Sequence, residues 1–131
     1  MSRKEKIAIV CGDYDPLSYE DLKFLQICKS KADWLVVGIH SDHYLMSNKG
    51  GYMQDFVERR SIIQALSCVD EVFIFNDSNN TVTNLLRLVK ACYPQAEYFY
   101  VSENDMHNAP ETKIKGVIQS VKICGKVSQK K

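Results

Sequence analysis

The sequence predicts an α/β fold, a doubly wound parallel sheet with helices on both faces. Three observations predict it. Four short runs are rich in β-branched and aromatic residues. They are continuously apolar rather than alternating, as strands covered on both faces must be. Between them lie apolar residues at helical spacing. Strand–helix alternation with crossovers of one hand makes neighbouring strands parallel.

Each element has its own justification. Ile7-Ala-Ile-Val-Cys11 is the first strand. Ser18-Tyr-Glu-Asp21 is a capping box, an acceptor side chain followed three residues later by an acid, and it opens a helix. That helix carries Leu22, Leu25 and Cys28 with Phe24 and Ile27 on one broad face. The second strand runs from Trp34 to Ile39. A long irregular stretch from His43 to Asp55 follows, centred on Gly50-Gly51; a loop of that length in a compact domain is expected to be functional. Asp55-Phe-Val-Glu58 is a second capping box, before Phe56, Ile63 and Leu66. Glu71-Val-Phe-Ile-Phe75 is the third strand. Val82, Leu85, Leu86 and Val89 follow the i, i+3, i+4, i+7 pattern of a helix most cleanly. Tyr98 to Val101 is the fourth strand, and Asn108-Ala-Pro-Glu111 is a weaker third helix start with proline just inside.

At 131 residues, the chain is expected to be a single domain, 1–131. Seventeen basic and sixteen acidic residues leave a formal charge of +1. That balance argues against a nucleic-acid partner, whose binding needs a clear basic excess. The longest apolar run, Trp34 to Ile39, is far short of the roughly 20 residues of a membrane helix, so no membrane partner is expected. The opening Met-Ser-Arg-Lys-Glu-Lys lacks the apolar core of a signal peptide, and a cytoplasmic location is expected. The five cysteines, Cys11, Cys28, Cys68, Cys92 and Cys124, are scattered without a C-x-x-C pair and read as reduced core thiols. His40 and His43 flank Asp42 but lack a third ligand, so no metal site is expected.

In a sheet of this kind, ligands bind at the carboxyl ends of the strands, near the reversal of strand order. That rule points to Gly12 through Asp21, Ser41-Asp42, Asp77 and Ser102 through Asp105. Neither the G-x-G-x-x-G dinucleotide fingerprint nor the G-x-x-x-x-G-K-[ST] phosphate loop is present.

The segments that do occupy these positions are distinctive together. They are Gly12-Asp13-Tyr14-Asp15-Pro16-Leu17, Val37-Gly38-Ile39-His40-Ser41-Asp42, Asn48-Lys49-Gly50, Glu58-Arg59, Cys68-Val69-Asp70-Glu71-Val72 and Val101-Ser102-Glu103-Asn104-Asp105. In this order they resemble the cytidylyltransferase branch of the nucleotidyltransferase superfamily, above all the phosphoethanolamine, phosphocholine and glycerol-phosphate cytidylyltransferases. Heptose-phosphate adenylyltransferases share much of the pattern. The resemblance implies a Rossmann-like nucleotide-binding domain. It implies nucleotide contacts at Gly12, Tyr14, Asp15, His40, Asp42, Lys49, Arg59 and Asp105. Tyr14 either packs the site or stacks on a base, and Arg59 either meets the nucleotide or covers a helix surface.

The departures fall on the chemistry. Where the family carries His-x-Gly-His, this sequence has Ser18-Tyr19-Glu20-Asp21. The family's histidines stabilise charge on the nucleotide phosphates at a helix start, where N–H groups and the dipole already favour anions. Losing one such donor costs on the order of 2.7–4 kcal/mol in the barrier. An acid about 5 Å from a phosphate charge adds repulsion of roughly 3 kcal/mol at an effective dielectric near 20. Ser18 and Asp21, at the degenerate motif positions, read as caps of the helix rather than catalytic groups. The Ser-Thr-Thr type segment that closes family members is not found after Val121-Lys-Ile-Cys124-Gly125-Lys126-Val127.

Two functions follow as expectations. One is a catalytically degenerate module that binds a nucleotide or small phosphorylated metabolite, and that forms a homodimer or pairs with an active paralogue. The alternative is an active enzyme, with Mg²⁺, moving CMP from CTP to a phosphoalcohol or AMP from ATP to a sugar phosphate and releasing pyrophosphate.

Overall fold

In the computed structural model, residues 5–101 and 117–118 are described. The chain order is β1 (Lys6–Gly12), α1 (Tyr19–Ser30), β2 (Trp34–Ile39), α2 (Asp42–Lys49), α3 (Phe56–Gln64), β3 (Glu71–Phe73), α4 (Thr83–Cys92), β4 (Glu97–Tyr100) and β5 (Val117–Ile118). The strands form one sheet in the order β3-β2-β1-β4-β5, and every pairing is parallel. The expected α/β architecture is therefore present.

Side-chain alternation along the strands divides the interior into two layers. Ala8 and Val10 of β1, with Leu35, Val37 and Ile39 of β2, face Phe24, Leu25 and Cys28 of α1 and Ile63 of α3. Ile7, Ile9 and Val36 face the opposite way, onto Val82, Leu85, Leu86 and Val89. All four residues of that periodic set are buried. Chain progression reverses after β3, because β4 lies beside β1 on its other side. With a constant crossover hand, that reversal puts α4 on the face opposite α1 and α3. Gly38 lets α4 approach closely, since a Cβ there would lie 2.5 Å from Leu85 Cδ2.

Both central capping boxes are formed. Ser18 Oγ accepts from the Asp21 amide and Asp21 Oδ2 from the Ser18 amide, each at 3.0 Å. Asp55 and Glu58 do the same for α3.

Three expectations are corrected. The 43–55 stretch is not wholly irregular, because it begins with α2. Only Leu45 of that helix is buried, so no apolar period advertised it. Its ends are nonetheless ordinary: Ser41 caps the Tyr44 amide, and Gly50 closes it at φ 81, where glycine carries no penalty. The third strand stops at Phe73 rather than Phe75, for a physical reason. Among the described residues it is an edge strand paired only to β2, and its last partner, Gly38, lies one residue from β2's end. Finally, the cysteines are not uniformly core: Cys28 is buried, Cys11 and Cys68 are partly exposed, and Cys92 is exposed. Asp105, the 108–111 helix start and Cys124 lie outside the described residues.

Candidate nucleotide site at the strand ends

The sheet's reversal lies between β1 and β4, so a crevice is expected at the carboxyl ends of these strands. The turn after β1 is tightly built. Tyr14 adopts φ 51, unusual for a bulky residue, and its ring folds back over Gly12. A Cβ on Gly12 would lie 2.7 Å from Tyr14 Cζ, so only glycine fits beneath the ring. Tyr14 is 9% exposed and belongs to the core. Of the two roles open to it, the structure shows packing. Burial, then the neighbouring Cys11 and Asp21 charges, push its phenol well above the usual range. Backbone strain of this kind is held only where the surroundings over-determine it, and it clusters at functional sites.

Arg59 ties the site's loops together. Its guanidinium is 0% exposed. Nε donates to the Gln54 carbonyl (2.9 Å), Nη1 to the carbonyls of His40 (2.8 Å) and Asp13 (3.1 Å), and Nη2 to Asp42 Oδ1 (2.6 Å). It neither covers a helix surface nor reaches open solvent. It positions the ends of β1 and β2 from beneath, and Asp42 is its more exposed partner. Asp15 has a similar duty, accepting from the Met53 and Gln54 amides at 2.7–3.1 Å, which pins the connection between α2 and α3.

Lys49 sits in the last turn of α2, not in a loop, and reaches back to Asp13 at 2.9 Å. The hydrogen bond to Asp13 raises its pKa. The lysine thus stands beside the β1 turn, with its charge already matched by an acid. Ser18 and Asp21 stand at the start of α1, bonded to each other.

His40 is held on three sides. Its ring stacks on Tyr44 with centroids 3.7 Å apart, Nδ1 lies 3.1 Å from Asp77 Oδ2, and Nε2 lies 3.5 Å from Cys11 Sγ. Asp77 also accepts from the Ser41 amide (2.8 Å) and hydroxyl (2.9 Å). Burial acts to raise the Asp77 pKa. The Ser41 amide, His40 and the Ser41 hydroxyl outweigh it and hold the carboxyl below its ordinary value. The folded-state pKa is the lower one, so this stabilisation is complete above the ordinary carboxylate value and is lost as pH falls through the folded value. Asp77→Asn should therefore flatten the acid limb of folding stability against pH, followed by urea unfolding. An acid limb identical to that of the parent protein would contradict this assignment.

The sequence rules singled out most of this cluster, Asp13 included within Gly12 through Asp21, but not the pairing of Asp13 with Lys49. They missed Tyr44, which lies on the helix that apolar periodicity did not reveal. As for Mg²⁺, no group of three or more metal-binding side chains occurs among the described residues. Asp13, Asp15 and Asp42 are each committed to a protein cation or amide. These residues do not fit a resident metal. Nor is any helix among the described residues long and apolar enough to cross a membrane.

Comparison with known proteins identifies the family and the fold. The bifunctional protein HldE of Geobacter metallireducens is 36% identical over 95 residues, covering 71% of this chain and 18% of its own length. Mouse (Mus musculus) ethanolamine-phosphate cytidylyltransferase is 34% identical over 61 residues, 47% of this chain and 15% of its own. The chain thus spans less than a fifth of either relative. A lipopolysaccharide core biosynthesis protein from Thermoplasma volcanium shares the fold, with a TM-score of 0.72 at 16% identity over 93% of this chain and 98% of that one. The profile of the family described as Cytidylyltransferase-like matches residues 9–129, from within β1 through the Arg59 clamp and beyond β5. The chain belongs to the cytidylyltransferase-like family.

Proposed function

We propose that this domain is a catalytically degenerate member of its family, kept as a module that binds a nucleotide or small phosphorylated metabolite. The observation that carries the reading is the closed start of α1. Two of the backbone N–H groups that would greet a phosphate there, those of Ser18 and Asp21, donate instead to each other's side chains. Glu20 and Asp21 add negative charge to the same turn. An anion-binding helix start has become a self-capped one. The Asp13–Lys49 pair works in the same direction, since a phosphate must compete with a carboxylate for that ammonium.

The framework around the nucleoside end is intact: the Gly12–Tyr14 turn, the His40–Asp42 strand end and the Arg59 clamp. Its partners in this reading are the nucleotide or phosphometabolite and a second copy of the chain or an active paralogue. Exposed Met46 of α2, Tyr52 and Met53 of the connection that follows it, and Val57 of α3 supply apolar surface for such a protein contact. Mg²⁺ belongs only to the alternative, an active nucleotidyltransferase that releases pyrophosphate.

The test is ligand-induced thermal stabilisation, since a ligand that binds only the native state raises Tm. CMP should raise Tm more than CTP at equal concentration, because the triphosphate meets the closed helix start. A larger shift with CTP would contradict the reading. No shift with CMP, CTP or ADP would remove nucleotide binding and leave an interaction module.

A further inference from the structure

Cys11, His40 and Asp77 form a chain of contacts. His40 belongs to the strand end of the nucleotide framework, but the nucleotide-binding reading gives no role to the Cys11 thiol or to its link through His40 to Asp77. Strand alternation explains why they meet. Ile7, Ile9 and Cys11 of β1 share the α4 side of the sheet with Val36, Gly38 and His40. Asp77 follows shortly after β3, the strand on the other side of β2. Cys11 Sγ is 3.5 Å from His40 Nε2, and His40 Nδ1 is 3.1 Å from Asp77 Oδ2.

The tautomer follows from the partners. Asp77, held ionised by Ser41 and His40, can only accept, so Nδ1 carries the ring proton. With Nδ1 donating to Asp77, Nε2 is the ring nitrogen that faces the Cys11 thiol and can accept its proton. A nucleophile, a base and a carboxylate that orients the base are the parts of an activated thiol. The Tyr44 ring stacked on His40 fixes the imidazole plane. Other titratable groups near the thiol include Tyr14 and Tyr44, with the Asp13–Lys49 pair beyond Tyr44.

We propose that Cys11 is a nucleophilic modification site for low-molecular-weight disulfides, with His40 as its base and Asp77 as the residue that positions His40. The Cys11 proton passes to His40 Nε2, and the imidazolium is paired with Asp77. Sγ attacks one sulfur of the disulfide, a new S–S bond forms, and the original one breaks. The departing thiolate takes the proton from Nε2 and leaves as a thiol. Cys11 is oxidised and half of the disulfide is reduced, so electrons balance. Displacement at sulfur creates no oxyanion, so these three groups suffice without the paired N–H donors that acyl transfer requires.

The full-length reduced chain, treated with oxidised glutathione and resolved peptide by peptide by mass spectrometry, supplies the test. The exposed Cys92 is an internal comparator. Near about pH 6.5, Cys11 should form the mixed disulfide about tenfold or more faster than Cys92, despite being less exposed. His40→Gln should reduce that rate to the Cys92 level or below, and Asp77→Asn should lower it in the same direction. If these variants do not fold, the parent pH profile decides. A Cys11 rate that persists below about pH 7 supports the activated thiol. A rise that follows an ordinary thiol near about 8.5, or a Cys11 slower than Cys92 throughout, overturns it.

Discussion

Replacing Arg59 with alanine is expected to lower folding stability by about 3–5 kcal/mol, the cost of breaking a buried, hydrogen-bonded charge. The guanidinium is 0% exposed, and its removal strands the carbonyls of Asp13, His40 and Gln54 together with the Asp42 carboxylate. The Asp42 side chain is 34% exposed, so water recovers part of that partner's loss. The three carbonyls belong to the ends of β1 and β2 and to the loop before α3, so the loss falls directly on the site. Arg59→Lys should recover only part of it, because one ammonium cannot reproduce the planar fork. Urea unfolding at constant m-value reads the difference. A cost below about 1 kcal/mol would show that Arg59 is not the clamp described above.

The second large effect concerns the start of α1. The combined Ser18→His, Glu20→Gly and Asp21→His variant removes the self-cap and both acids from the first turn. Its affinity for CTP should rise by about tenfold or more, since an acid about 5 Å from a phosphate charge opposes binding by roughly 3 kcal/mol before salt screening. Stability should fall by about 0.5–2 kcal/mol with the lost cap. Titration calorimetry and a melting curve on the same sample separate the two. A folded variant that binds CTP no better than the parent would contradict the closed-helix account.

How far the sequence foretold the structure depends on what each element relies upon. The helix α4 declared itself through Val82, Leu85, Leu86 and Val89, because burying that stripe is what holds it to the sheet. Both capping boxes were readable, since a cap is a local bond between residues three apart. Helix α2 was hidden, as it is fixed by its two ends and by one buried leucine. In the site, the positions of Gly12, His40, Asp42, Lys49 and Arg59 were legible from ordered short segments. What those residues do to one another was not. That Arg59 turns inward, that Asp13 neutralises Lys49, and that Cys11, His40 and Asp77 align are juxtapositions of residues up to 46 positions apart. Such contacts depend on the sheet register rather than on any local pattern.

The central claim is that this member of the cytidylyltransferase-like family keeps the nucleotide framework while its phosphate-handling helix start is closed. Pyrophosphate release, measured with CTP or ATP, Mg²⁺ and a panel of phosphoalcohols and sugar phosphates, tests it most directly. The account predicts release at the level of a protein-free control. Clear turnover that is abolished by Lys49→Ala would contradict it, because a phosphate would then have displaced Asp13 and used the site.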